Sequence, residues 1–199
     1  MKRLLYLLFI LSLPLFASAS TIIKLEIKST IGPASSNYLK EGIAAAIQQN
    51  ANMILIELDT PGGLSSSMRE MMQEITNSPF PVIVYVSPKG ARAASAGSYL
   101  IYASHVAAMA PGTNLGAATP VSLTPSVKIA DSNTTTVTTL EKKALNDAKA
   151  YIKSLAQLNE RNVSWALEAV GEAKSLSAVD ALRYGVIDLI AENTNGAPK

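Results

Sequence analysis

The sequence predicts an α/β fold in which helices flank a largely parallel sheet. Apolar runs of strand length alternate along the chain with segments whose apolar residues recur at helical spacing. The run from Met53 to Leu58 is nearly continuously apolar, which is typical of a strand covered on both faces. Strands that alternate with helices in this way form layered folds with parallel sheets.

The first residues of the chain predict a secretory signal. Two basic residues precede an apolar segment from Leu4 to Phe16, and Ala17-Ser18-Ala19 matches the small-x-small pattern before a cleavage site. The apolar segment is shorter than the ~20 residues that span a membrane. We therefore expect residues 1–19 to be removed and residues 20–199 to act in the periplasm or at an extracytoplasmic membrane surface. An uncleaved amino-terminal anchor is the alternative.

The exported part opens with two strands and two helices. The alternation of apolar and polar residues from Thr21 to Ser29 predicts a strand with one face in water. Ser35 or Ser36 can cap a helix that runs to about Gln49. The buried strand after it ends at Pro61-Gly62-Gly63. A second helix then follows from Ser65–Ser67 to about Asn77, with Met68, Met71, Met72 and Ile75 on one stripe.

The middle of the chain continues the alternation. Pro81 to Val86 is predicted as a buried strand, Ala93 to Ala103 as a helix rich in small residues, and Val106 to Met109 as a short strand. Residues 117–139 then lose apolar periodicity and contain prolines and a polar run, which predicts a mobile loop that serves as a lid or entry segment.

The last third is predicted to be mostly helical. A long helix from Leu140 to about Asn159 follows the loop. The remaining predicted elements are a helix over Ser164–Val170, a helix over Ser177–Leu182, a strand over Val186–Ala191 and a polar tail over Glu192–Lys199.

Composition excludes several classes of function. The formal net charge is +2 and no stretch interleaves basic with aromatic residues, so we expect no nucleic-acid binding. The chain has no cysteine, which excludes disulfides, cysteine nucleophiles and cysteine metal ligands. A single histidine excludes a histidine-rich metal site, and the carboxylates show no clustered spacing. We therefore expect neither a metal nor a cofactor.

Ser95 is a candidate nucleophile. It lies in a run of small residues, from Gly90 to Gly97, at the predicted start of a helix. The free N–H groups of a helix start favour developing negative charge. Hydrolysis of an amide needs a nucleophile and donors for the oxyanion, and the N–H of Ala96 is one candidate donor. The alternative is that Ser95 and Ser98 only cap the helix, and this segment by itself favours capping.

The turn Asp59-Thr60-Pro61-Gly62-Gly63 is a candidate source of the other oxyanion donor. A buried strand that runs into two glycines presents bare N–H groups at the carboxyl end of a parallel sheet, where ligands of α/β proteins bind. The N–H of Gly63 is the first choice and that of Gly62 the next. The alternative is a plain strand-to-helix turn that needs positive φ.

Lys143 is the candidate general base. A lysine acts as a base only if desolvation lets its ammonium lose a proton near neutral pH. Lys142, Lys143 and Lys149 lie on one predicted helix, where Lys143 shares a face with Asp147 and Ala150. Periodicity does not separate Lys143 from Lys142, and a lysine on an amphipathic helix is more often solvated.

His105 is the other candidate base. It stands between a predicted helix and a predicted strand, past the helix that begins near Ser95. Because that position gives it little freedom to reach back to Ser95, we expect a structural histidine at a helix end.

These residues fall into motifs that together resemble a known family, the NfeD serine peptidases of the ClpP/crotonase fold, which are membrane-associated and often encoded beside stomatin-like proteins. No single motif is diagnostic, but their order is specific. The similarity covers about residues 21–192, and Ala181 to Ile187 matches the closing helix and strand. The motifs are Leu58-Asp59-Thr60-Pro61-Gly62-Gly63, Ala94-Ser95-Ala96-Gly97-Ser98-Tyr99, His105-Val106-Ala107-Ala108-Met109-Ala110-Pro111-Gly112-Thr113, and Lys143-Ala144-Leu145-Asn146-Asp147-Ala148 through Tyr151-Ile152-Lys153-Ser154-Leu155-Ala156.

The resemblance implies a Ser–Lys dyad. It assigns Ser95 as nucleophile and Lys143 as general base, with oxyanion donors at Gly62, Gly63 and Ala96. It implies a spiral of ββα units, a homodimer or higher oligomer, and cleavage of hydrophobic segments such as the C-terminal region of a stomatin-like partner. It also implies that the loop before Lys143 can hold the lysine away from the serine when no substrate is bound.

Three other functions compete with this interpretation. A signal-peptide-peptidase relative would use the same dyad on another substrate. A non-catalytic scaffold would use the same fold to bind a membrane partner, and labelling by a fluorophosphonate discriminates against it. A crotonase-type acyl-CoA enzyme is disfavoured by the predicted export and by the lack of a carboxylate pair.

Overall fold

The computed structural model describes residues 21–121 and 139–194. The predicted signal segment and most of the predicted loop at 117–139 lie outside these residues, so both remain predictions. The strands are β1 (Ile22–Ile27), β2 (Met53–Leu58), β3 (Val82–Val86), β4 (Arg92–Ala94), β5 (Val106–Met109), β6 (Asn114–Gly116), β7 (Ser175–Ser177) and β8 (Leu189–Ile190). The helices are α1 (Pro33–Gln48), α2 (Ser65–Thr76), α3 (Ala96–Ala103), α4 (Thr139–Leu158), α5 (Val163–Gly171) and α6 (Ala178–Arg183).

The main sheet has five parallel strands in the order β1-β2-β3-β5-β8. The order of these strands across the sheet is the same as their order along the chain. Right-handed crossovers between them therefore place the intervening helices on one face of the sheet. Along β2, buried residues alternate with half-buried ones. The prediction that this strand is equally covered on both faces is therefore wrong, because every crossover runs on the same side.

A second, smaller sheet stands beyond the carboxyl ends of the main strands. It has the order β4-β6-β7, with β4 and β6 parallel and β7 antiparallel to β6. Isolated bridges from Ile31 to Gly63 and from Thr60 to Ala93 extend the same layer. Successive units therefore place one segment in each sheet and then a helix. This is the spiral of ββα units that the family resemblance implies, and the predicted fold class is confirmed.

Two predictions of element type need correction. The predicted helix over Ala93–Ala103 is a strand, β4, followed by the shorter helix α3, and Ser95 is the junction between them. Strands β6 and β7 were not predicted, and the predicted strand over Val186–Ala191 shrinks to β8. Segments of two or three residues are too short to show an alternating pattern, which explains these errors.

The helix caps follow simple chemistry. Helix α1 begins at Pro33, earlier than predicted, with Gly32 as its cap. The Ser35 hydroxyl accepts the N–H of Gly32 at 2.9 Å, which is half of a capping box, because glycine has no side chain to supply the other half. Ser177 caps α6 as predicted, since its hydroxyl accepts the N–H of Asp180.

The core is built around α3. All eight residues of this helix are buried, as expected for a helix that is apolar on every side. The predicted methionine stripe of α2 is confirmed, because its members are buried against the same core: Met68, Met71, Met72 and Ile75.

The amino-terminal edge of the main sheet is fixed by His105 and Arg161. The His105 ring accepts the backbone N–H of Val82 through Nδ1 at 3.2 Å, which confirms the structural role expected of this histidine. The buried Arg161 guanidinium donates to the Ser104 carbonyl at 2.8 Å and to the Asp188 carboxylate at 2.8 Å. The Arg161 side chain is 2% exposed, so little water can reach it to replace these hydrogen-bond acceptors.

We expect Arg161→Ala to lower the free energy of unfolding by about 3 kcal/mol, because it leaves buried acceptors without a donor. Urea denaturation followed by circular dichroism measures this. Arg183→Ala is the matched control, since the Arg183–Asp180 pair lies at the surface and an exposed pair contributes less than about 1 kcal/mol. Equal urea midpoints for the two variants would contradict the prediction.

Candidate active site

Ser95 has a strained backbone at the junction of β4 and α3. Its φ is 52° and its ψ is −115°. A positive φ is uncommon in a residue other than glycine and costs of the order of 1–3 kcal/mol, so it persists only where the surroundings enforce it. The Ser95 N–H donates to the Gly116 carbonyl at 2.8 Å, and the Ser95 carbonyl accepts the Ser98 N–H at 3.0 Å. A strained serine between a strand and a helix is the local geometry of many hydrolase nucleophiles.

The start of α3 leaves a donor beside the Ser95 side chain. Ala96 is the first residue of the helix, so its N–H has no intrahelical acceptor. The Ser95 hydroxyl is half-buried and has no hydrogen-bond partner among residues 21–121 and 139–194. A free hydroxyl next to a free N–H at a helix start is suited to nucleophilic attack and to stabilising the resulting oxyanion.

Gly62 lies directly against Ser95. A Cβ at Gly62 would stand 2.6 Å from the Ser95 Cβ and 3.0 Å from its Oγ, and the φ of Gly62 is +108°. Both the close approach and the backbone conformation therefore require glycine. The structure thus brings together the two motifs that the sequence places 33 positions apart.

The two glycines of this turn differ in the availability of their N–H groups. The Gly62 N–H donates to the Thr60 hydroxyl at 3.1 Å. Ile31 pairs with the residues on either side of Gly63. The Ile31 N–H donates to the Gly62 carbonyl, and the Ile31 carbonyl accepts the Leu64 N–H. In a parallel bridge of this kind, the N–H of the middle residue, Gly63, points away from Ile31. Within the part of the chain that the structure describes, the Gly63 N–H has no acceptor. Gly63 is therefore the better candidate for an oxyanion donor, and Gly62 leaves space for the Ser95 side chain.

Lys143 lies in the second turn of α4 and is exposed. Between the described residues no hydrogen bond or ion pair joins its ammonium to Ser95. Helix α4 packs beside α3, and just past its carboxyl end Asn159 donates to the Tyr102 carbonyl at 2.8 Å.

The middle of α4 is fixed against α2. The Arg69 guanidinium pairs with Asp147 and stacks over the Tyr151 ring at 4.6 Å. Tyr99 lies near this pair: burial chiefly raises the pKa of its phenol, Asp147 raises it further and Arg69 opposes the change. Because Lys143 precedes Asp147 by one turn and Ser95 precedes Tyr99 by one turn, both lie toward the same end of the two helices.

The other candidate bases are placed elsewhere. Lys149 stands against α5, where its Nζ lies 2.8 Å from the position of a Cβ at Gly171. Lys142 is exposed and lies one residue off the face that carries Asp147. His105 lies at the amino end of β5. Ser95 lies beyond the carboxyl ends of the main strands, which is the opposite edge of the main sheet.

Sequence reasoning missed the role of Ser98 and Gly116, which hold the Ser95 backbone. From the sequence, Ser98 is only a candidate helix cap, and Gly116 lies just before the predicted loop. The spacing between them crosses α3 and β5, so no local pattern links them. The positive φ of Gly116, +130°, is a signal that only the structure provides.

Residues 21–121 and 139–194 contain no group of three or more histidine, aspartate or glutamate side chains that could hold a metal ion. No helix in these ranges is both long enough and apolar enough to cross a bilayer.

Comparison with known proteins decides the family. The model of the N-terminal domain of NfeD1b matches residues 21–196. The chain belongs to the NfeD family. The membrane-bound protease PH1510 of Pyrococcus horikoshii is 42% identical over 170 residues, which is 85% of this chain and 37% of that protein. The membrane protein NfeD1b of Bacillus subtilis is 34% identical over 116 residues, 57% of this chain and 26% of that protein. The chain therefore spans about a third of the length of these relatives.

Solved structures of an NfeD protease share the fold closely. The 1510-N membrane-bound stomatin-specific protease, in a serine-to-alanine mutant, superposes with a TM-score of 0.79 at 40% identity, covering 89% of this chain and 83% of that one. A lysine-to-alanine mutant of the same protease in complex with a substrate peptide gives a TM-score of 0.78 at 40% identity, covering 89% of this chain and 78% of that one. These relatives are proteases.

We expect Gly62→Ala to lower the rate of fluorophosphonate labelling at Ser95 by at least about 100-fold, because its methyl group would displace the hydroxyl. The rate is measured by intact-protein mass spectrometry. Gly90→Ala is the matched control: Gly90 also has a positive φ, +87°, but a Cβ there meets nothing within 4 Å. Similar labelling rates in the two variants would contradict the proximity argument.

Proposed function

We propose that this chain is an exported serine endopeptidase in which Ser95 is the nucleophile and Lys143 the general base. The observation that carries the proposal is the contact between Gly62 and a strained Ser95 at the start of α3. Lys143 is exposed and lies one turn before Asp147, which pairs with Arg69 of α2, and we propose that its ammonium approaches the Ser95 hydroxyl. Relatives named as proteases, with serine and lysine mutants among their structures, support the same assignment.

The proposed reaction proceeds through an acyl-enzyme. Neutral Lys143 accepts the Ser95 proton while Oγ attacks the peptide carbonyl carbon, and the oxyanion accepts the N–H groups of Gly63 and Ala96. Collapse breaks the C–N bond, and the proton held by Lys143 passes to the leaving amine. A water then gives its proton to Lys143 and attacks the ester. When the second tetrahedral intermediate collapses, that proton returns to the Ser95 oxygen. Removing one oxyanion donor lowers turnover by about 10²–10³-fold.

We propose an apolar peptide segment as the substrate. Leu64, an exposed apolar side chain, follows Gly63 directly in the chain. Exposed apolar groups near a cleft are typical of sites that bind apolar partners. Since a relative is a stomatin-specific protease, the C-terminal region of a stomatin-like membrane protein is the first candidate.

The setting of the enzyme completes the proposal. Residues 1–19 act as the secretory signal, and residues 20–199 contain the peptidase domain. The domain works at the extracytoplasmic membrane surface as a homodimer or higher oligomer, without metal or cofactor.

Three variants test the dyad against a panel of apolar peptides, with cleavage followed by mass spectrometry. We expect Ser95→Ala and Lys143→Ala each to abolish cleavage, because one removes the nucleophile and the other removes its base. Lys142→Ala is the matched control, since it removes the neighbouring exposed lysine from the same helix. We expect it to cleave at close to the rate of the wild-type protein.

The outcomes separate the competing functions. Cleavage that survives Ser95→Ala excludes this nucleophile. Equal losses in Lys142→Ala and Lys143→Ala would assign both lysines to the structure of α4 rather than one to catalysis. A wild-type protein that neither cleaves peptides nor reacts with a fluorophosphonate would favour the non-catalytic scaffold.

A further inference from the structure

Ser98 is a fully buried polar residue that the proposed reaction does not use. Its hydroxyl donates to the Ala93 carbonyl at 2.8 Å, and the Gly116 carbonyl is also within reach at 3.1 Å. The same oxygen accepts the Gly116 N–H at 2.9 Å. Because the side chain is 0% exposed, no solvent can replace these partners.

Gly116 connects this hydroxyl to the backbone of Ser95. The Gly116 carbonyl accepts the Ser95 N–H at 2.8 Å while the Gly116 N–H donates to Ser98. The Ser98 N–H in turn donates to the Ser95 carbonyl at 3.0 Å. The three residues therefore form a closed ring of hydrogen bonds around the strained residue.

The ring is fixed to the rest of the protein on both sides. Ala93, which accepts the Ser98 hydroxyl, lies in β4 and bridges Thr60 in the turn that carries Gly62. On the other side, a Cβ at Gly116 would stand 2.3 Å from the Lys174 carbonyl, so this strand is packed tightly against β7. Ser98 is the only side chain in the ring, and it joins the two strands that flank Ser95.

We propose that Ser98 is a positioning residue, which holds Ser95 in its left-handed conformation through Gly116. The inference rests on the proposed function for its catalytic consequence. Without the Ser98 hydroxyl, the buried Gly116 N–H loses its acceptor, and one of the contacts that hold the Gly116 end of β6 beside β4 is lost. Ser95 then loses the geometry of the N–H···O bond that enforces its positive φ, and its Oγ moves away from Gly62 and the N–H groups of the site.

The test compares Ser98→Ala with Ser104→Ala. Ser104 is also 0% exposed and lies just beyond the end of α3, where its hydroxyl donates to the Ile101 carbonyl at 2.7 Å without touching Ser95 or Gly116. We expect Ser98→Ala to react with a fluorophosphonate about 10- to 100-fold more slowly, because small displacements of a reacting group have effects of this size. Ser104→Ala should react like the wild-type protein.

Amide hydrogen exchange gives a second readout that does not depend on catalysis. Faster exchange of the Ser95 and Gly116 amides in Ser98→Ala, but not in Ser104→Ala, is the expected result. Unchanged exchange at these amides overturns the proposal, and so does faster exchange with an unchanged labelling rate. If the wild-type protein does not label at all, the proposed function fails, while exchange still decides whether Ser98 holds Ser95.

If Ser98→Ala does not fold, Ser98→Cys replaces it, because a thiol keeps the shape of the side chain with a larger atom and makes weaker hydrogen bonds. We expect the same slow labelling and the same loss of amide protection. A Ser98→Cys protein with wild-type labelling and exchange would overturn the proposal.

Discussion

The candidate site depends on one backbone constraint, the positive φ of Ser95 where β4 ends and α3 begins. This conformation turns the chain from strand to helix within one residue, which places the hydroxyl beside Gly62 and the first free N–H of the helix. The conformation is unfavourable in isolation, so the surrounding strands must enforce it. The small sheet provides that enforcement, and it explains why the fold contains a second layer at the carboxyl ends of the main strands.

The candidate site has two parts, the backbone around Ser95 and the Lys143 side chain on α4, and they are held in place by different kinds of contact. Ala96 is buried and Ser95 half-buried at the start of α3, while Gly63 is exposed in a turn paired to Ile31. Lys143 lies on an exposed part of α4, and the Arg69–Asp147 pair one turn later joins that helix to α2. In the proposed reaction, the oxyanion donors would thus belong to backbone fixed by the two sheets, whereas proton transfer would rely on a helix held by surface contacts.

Local patterns predicted the parts of this fold that extend over a turn or more of helix. The methionine stripe of α2 and the long helix α4 follow from spacing alone, and the capping role of Ser177 follows from residue type. Three-residue strands such as β4 and β6 carry too little pattern, so the junction at Ser95 was predicted as continuous helix. The Gly116–Ser98 contact and the Arg69–Asp147 pair join residues 18 and 78 positions apart, which no local rule can connect. Periodicity also could not separate Lys143 from Lys142, because the distinction depends on which face of α4 meets α2.

The complete burial of α3 also determines how the enzyme should fail when heated. Many active sites lie on segments that open locally at a small cost in free energy, long before the whole protein unfolds. Here all eight residues of the helix that follows Ser95 are buried in the main core, so this helix cannot detach while that core remains intact. Loss of the Ser95 backbone conformation and cooperative unfolding of the core are therefore the same event.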